Sequence, residues 1–155
     1  MSVHVATPAH TAVDLAFVLE RVAASARAFA RGRRVRLSVE VETGPLLVPG
    51  SWTAVQDAIL DVAGRAVAAC GSGAEVVLDV HREAGGYAVD VTDTGPGIDR
   101  PDSLTVREVL ESVGGRLHVA HVEGVGSTSR LWWPEAPVAA SPADPARNGR
   151  AAAAV

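Results

Sequence analysis

One cysteine, Cys70, occurs in 155 residues, which excludes an internal disulfide framework and any cysteine-rich zinc site. It stands near the end of an apolar helical pattern, so it reads as a buried thiol rather than a reactive one. There is no run of about 18 apolar residues to cross a membrane, and no charged-then-apolar leader. Excess positive charge is lacking too: the formal net charge is -4, a field that attracts neither nucleic acid nor an anionic bilayer. These absences give the expectation of a soluble cytoplasmic protein that takes neither nucleic acid nor membrane as a partner. A basic cluster, Arg31, Arg33, Arg34 and Arg36, is the local exception, either a contact surface or a solvated helix end.

What is present is a single domain's worth of small apolar residues. Hydrophobic residues make up 48% of the chain, much of it Ala and Val, so its elements should pack closely around one two-layer core. Residues 1–12 carry no pattern and read as a flexible leader. From Val13 to about Arg31, apolar Leu15, Val18, Leu19, Val22, Ala26 and Phe29 fall at helical spacing, and Gly32 stops the helix. Val35, Leu37, Val39 and Val41 then alternate with polar residues as a strand with one buried face. Leu46 to Val48 is a short second strand between Gly44-Pro45 and Pro49-Gly50.

Ser51 caps the strongest helical pattern, Trp52 to Cys70, whose stripe is Trp52, Val55, Ile59, Val62 and Ala66. Glu75 to Arg82 is a strand that turns through Gly85-Gly86 into another, and Thr105 with Glu108 has capping-box spacing for a third helix bearing Val106, Val109, Leu110 and Val113. Leu117, Val119 and Val122 mark a strand, and Ser127 to Trp133 a last one closed by Pro134. Trp132 and Trp133 face opposite ways, one to the core and the other to solvent or a partner. Residues 135–155 are Ala, Pro, Asp and Arg without period, a disordered tail. Strand pairs joined by tight turns, with helices between them, predict an α+β fold: a two-layer α/β sandwich with one mixed, mostly antiparallel sheet and three helices on one face.

The organising stretch is Tyr87 to Ile98, YAVDVTDTGPGI. A strand delivers Asp93 into a loop with Gly95 and Gly97, where a carboxylate can accept hydrogen bonds from a flat polar ligand and glycines let that ligand approach the backbone. A tight turn with a capping Asp would look the same. No catalytic triad, paired carboxylates or metal-ligand cluster accompanies it. His81, His118 and His121 fall in strands, and His4 and His10 in the leader.

Asp93-Thr94-Gly95-Pro96-Gly97-Ile98, followed by Gly114-Gly115-Arg116-Leu117 and Glu123-Gly124-Val125-Gly126-Ser127-Thr128 before Pro134, resembles the ATP-binding domain of histidine kinases, within the GHKL or Bergerat-fold ATPases. The likeness spans Asp14 to Pro134, and the histidine kinase-like ATPase domain is placed at residues 13–134. The resemblance implies that Asp93 recognises the adenine amino group, that Gly95, Gly97 and Ile98 belong to the nucleotide-binding residues, and that Thr128 joins the adenine-side hydrogen-bond network. Three departures accompany it. The family's two polar residues on the central helix, the second of which binds magnesium, correspond to Asp61 and Arg65. An arginine has no lone pair for a metal, so magnesium bound in the usual manner is not expected. Arg65 either neutralises phosphates directly or forms a plain salt bridge with Asp61.

The second departure is the lid. Only five residues separate Ile98 from Leu104, where the family places a lid and a second glycine box, and Asp102 would repel phosphate. The third is the expected lack of the dimerisation and phosphotransfer hairpin. The resemblance therefore implies a degenerate domain with weak or lost binding of ATP or ADP and no catalytic residues. It would act as a regulatory module on a protein partner: a kinase, a response regulator, or a sigma or anti-sigma component. The alternative is an active stand-alone ATP-binding kinase of the anti-sigma or histidine-kinase type.

Overall fold

A computed structural model describes residues 12–96 and 103–137. In chain order the elements are β1 (Val13–Asp14), α1 (Leu15–Gly32), β2 (Arg36–Val41), β3 (Leu47–Val48), α2 (Trp52–Ala69), β4 (Glu75–Glu83), β5 (Gly86–Asp93), α3 (Leu104–Glu111), β6 (Arg116–Val122) and β7 (Gly126–Pro134). The main sheet runs β2-β4-β5-β7-β6. Its β2–β4 pair is parallel and its other three pairs are antiparallel. This is the mixed, mostly antiparallel two-layer sandwich that the alternation of patterns predicts. The short second strand, however, does not join the main sheet. β3 pairs with β1 in a separate two-stranded ribbon, with Asp14 Oδ1 accepting from Ala16 N at 3.0 Å and Leu46 N at 3.3 Å. One carboxylate thus caps α1 and ties it to the ribbon.

The core lies between the helices and one sheet face. Leu15, Val18, Leu19 and Val22 of α1, Val55, Ile59 and Val67 of α2, and Leu110 of α3 meet Val76, Leu78, Val80, Val89, Val91, Leu131 and Trp133 there. Trp133 is fully buried, which assigns it to the core side. Trp132 faces the other way and is covered by its own chain. Its Nε1 donates to Glu83 O at 2.8 Å, and Arg116 stacks 4.9 Å from its ring centroid. On that outer face Arg130 holds Asp90 through two 2.7 Å bonds and donates to Glu83 at 2.6 Å. Hydrogen bonding to Asp90 raises the Arg130 pKa against the opposing effect of burial.

Several local expectations differ from the structure. Phe29 is exposed, with Arg33 over its ring, because the inward slot at the end of α1 is taken by the neighbouring Ala30. Trp52 opens α2 at the surface, its indole N–H donating to Gln56 Oε1 at 3.0 Å, so the stripe begins at Val55. β2 is only half-buried along its length, because it is an edge strand. Ser103 caps α3, two residues before Thr105 and within the margin that the capping-box spacing leaves: its Oγ accepts from Val106 N at 3.2 Å, while Val113 lies beyond the helix end.

The chain stays attached to the domain past Pro134. Ala136 is buried and its N–H donates to Leu47 O at 2.9 Å, while Glu135 accepts from the Tyr87 hydroxyl at 3.3 Å. Burial first, and then the Glu135 carboxylate, push the Tyr87 hydroxyl pKa up.

Candidate functional site

The strand-to-loop junction after β5 is held by contacts to several elements. Antiparallel pairing sets Asp93 opposite Ser127 and Thr92 opposite Thr128, so Asp93 points to the helix face. There its carboxylate is 3% exposed, and Oδ1 accepts from Gly95 N at 3.0 Å. A side-chain acceptor bonding the backbone two residues on is the short-range turn that aspartate favours.

The loop is fixed on three further sides. Thr94 exchanges hydrogen bonds with the start of β4, its N–H donating to Glu75 O at 3.1 Å and its Oγ1 accepting from Glu75 N at 3.0 Å. Pro96 O accepts from Gly124 N at 3.0 Å, which joins the first glycine motif to the turn between β6 and β7. Gly95 lies against the end of α2: a Cβ there would stand 2.9 Å from Asp93 Oδ1, 3.4 Å from Ala69 O and 3.6 Å from Cys70 Sγ. The two motifs that looked related in sequence therefore meet in space.

Thr128 does not lie on Asp93's face of the sheet. One residue further along β7 reverses the side-chain direction, so Thr128 lies on the outer face with its hydroxyl 3.1 Å from that of Thr92. The hydroxyl on Asp93's face is Ser127, buried at 5%. Counting strand register from Asp93 selects Ser127, whereas the choice of Thr128 came from the motif alone. Gly126 was likewise passed over. A Cβ at Gly126 would come within 2.0 Å of Asp93 O, and its φ is +155°, so β7 approaches the Asp93 backbone as only glycine allows.

Asp61 and Arg65 lie together on α2, Arg65 Nε donating to Asp61 Oδ1 at 3.0 Å. Their side chains are 37% and 50% exposed respectively, so the bond is water-accessible and of small energetic weight. Arg65 is one helical turn, about 6 Å, and Asp61 two turns, about 12 Å, before the point where the Gly95 loop touches α2. Gly97 and Ile98, also assigned to nucleotide binding, lie outside the described residues, as does Asp102.

The donor set near the pair does not fit a magnesium ion. Arg65 offers only N–H groups, its partner Asp61 is a single carboxylate already engaged by it, and among the described residues no three His, Cys, Asp or Glu side chains gather as metal ligands. The Asp93 loop holds a buried carboxylate whose Oδ1 accepts from its own backbone at Gly95. Among the described residues no helix is long and apolar enough to cross a membrane. Cys70 is buried at the end of α2.

No protein-family profile matches the sequence, and comparison with curated protein sequences finds no significant match. By structure the chain resembles histidine-kinase catalytic domains. The nucleotide-free catalytic domain of histidine kinase ThkA is 18% identical, with a TM-score of 0.72 over 83% of this chain and 98% of that one. The mycobacterial sensor histidine kinase MprB is 24% identical, with a TM-score of 0.69 over 83% and 99%. Full-length ShkA in complex with AMPPNP is 22% identical, with a TM-score of 0.72 over 83% of this chain and 32% of that larger one. The shared property is the two-layer fold, with three helices on one side of a five-stranded sheet.

Proposed function

We propose that this chain is a degenerate histidine-kinase-type ATP-binding domain that works as a regulatory, protein-binding module in a two-component-like pathway. The observation that carries this reading is the ion pair between Arg65 and Asp61, standing on α2 at the positions where the resemblance expects polar metal-holding residues. A guanidinium there occupies the single carboxylate and offers a divalent ion nothing in return. The base side keeps its acceptor, since Asp93 remains buried and fixed to its own loop.

The partner in this reading is a protein: a kinase, a response regulator, or a sigma or anti-sigma component. The active-kinase alternative asks Arg65 to replace the magnesium charge, and to do so its guanidinium would have to exchange its bond to Asp61 for phosphate oxygens. Calorimetric titration with ATP, ADP and adenosine, each with and without magnesium, tests the proposal. Weak affinities that are similar for the three ligands and indifferent to magnesium are the expected result. Micromolar ATP binding that depends on magnesium would instead support the active kinase.

A further inference from the structure

Independently of nucleotide, the exposed edge of the main sheet carries a pattern that points to a second copy of this chain. β2 ends the strand order and pairs only with β4 among the described residues. Backbone groups of alternate residues in a strand point to opposite sides. Arg36 N donates to Ala74 O and Glu42 N to Val80 O, both at 2.9 Å, so the even-numbered residues face β4. The N–H and C=O groups of Leu37, Val39 and Val41 therefore point out of the sheet. An open edge of this kind templates further pairing unless charge or a bulge blocks it.

The charges here are segregated rather than blocking. Arg36, whose side chain is 78% exposed and lies 3.8 Å from Glu75 of the neighbouring strand, sits at the start of the strand, and Glu40 and Glu42 sit at its end, where Glu42 accepts from Arg82 N at 2.7 Å. Antiparallel pairing of the strand with itself brings the basic end of one copy to the acidic end of the other, whereas parallel pairing would oppose like charges. Centring on Val39 uses all three outward-facing residues. Val39 then meets Val39 of the second copy, Leu37 meets Val41, Ser38 meets Glu40, and Arg36 meets Glu42. Val41 is 39% exposed, an apolar residue that this register covers. A groove of about 560 Å³ lies beside the first half of the strand, lined by Arg27, Arg31 and Arg36 and by one acidic residue, Glu75, and the acidic end of the second strand would lie there.

We propose that β2 is a symmetric dimerisation edge, pairing antiparallel with β2 of a second copy about Val39 to make one continuous sheet across the two chains. Opposed residues in such pairs with mutual hydrogen bonds have Cα atoms about 5.5 Å apart, within disulfide reach. Two experiments on the full chain test it. In sedimentation equilibrium the wild type is expected to be a dimer, with association weakened on the order of tenfold by Arg36→Glu or Val41→Lys. The double variant Arg36→Glu/Glu42→Arg, with charges exchanged, should recover association.

Under mild oxidation Val39→Cys should yield a disulfide-linked dimer on a non-reducing gel. Thermal melts of the same variants separate loss of association from loss of fold. A wild type that stays monomeric at high micromolar concentration would overturn the proposal, as would a dimer indifferent to both single substitutions. Failure of the charge exchange to restore a dimer that both single variants weaken, or no cross-link at residue 39, would overturn the register about Val39.

Discussion

The base end and the helix end of the candidate cleft are built differently. At the base end, Asp93 is almost wholly buried, bonded to Gly95 N, and set in a loop anchored to β4, to the turn before β7 and to the end of α2. At the helix end, Asp61 and Arg65 share a solvent-accessible bond on one face of α2, and a Cβ added at Gly64 between them would meet nothing within 4 Å. The first is a closely packed loop held from several elements. The second is open to solvent, and in the proposed reading it is the end where the demands of phosphate and metal have lapsed.

The comparison can be broken most forcefully at Gly126. An added methyl group overlaps Asp93 O, with the Cβ placed 2.0 Å away, so Gly126→Ala should destabilise the protein by about 3 kcal/mol or more in urea unfolding. Asp93→Ala removes a buried, charge-assisted acceptor and should cost about 2 kcal/mol by the same measurement, along with any affinity for adenosine. Gly64→Ala sharpens the contrast from the other side. In open space within a helix it should stabilise by about 0.5–1 kcal/mol, seen as a higher midpoint in the same titration. The smallest effect is expected at Arg65→Ala, within about 0.5 kcal/mol of wild type, with adenosine affinity unchanged. A large loss at Arg65 would show that the two ends are not as different as their burial suggests.

Most of this architecture was legible in the sequence because its periods are clean. Val76, Leu78 and Val80 alternate on β4, Ser51 caps α2 through Ala54 N at 3.1 Å, and the paired glycines mark the turns. The readings that missed share a physical cause: local pattern does not say where an element sits in the whole. Phe29 and Trp52 match a helical stripe but lie at helix ends that the core does not cover. β2 alternates like a buried strand, yet it stands at an edge. Leu47–Val48 pairs with residues 13–14 rather than with its expected sheet, a contact across more than 30 residues that no local signal encodes.

Around the glycine motif, the closeness of Asp93 and Gly95 was legible because their bond spans two residues. Ser127 was missed because its place beside Asp93 is set by register between two strands, and that register moves Thr128 to the opposite face. The bond between Asp61 and Arg65 was legible because four residues of helix bring two side chains together whatever the rest of the chain does.

The most direct test of the contrast is a magnetic-resonance titration of the isotope-labelled chain with ATP, ADP and adenosine, following the Gly95 amide and the Arg65 Nε–H signals, with magnesium absent and then present. The account predicts that any ligand-induced shift appears at Gly95, is alike for the three ligands, and leaves Arg65 unmoved under both conditions. A shift of the Arg65 signal produced by ATP, absent with adenosine and dependent on magnesium, would contradict it.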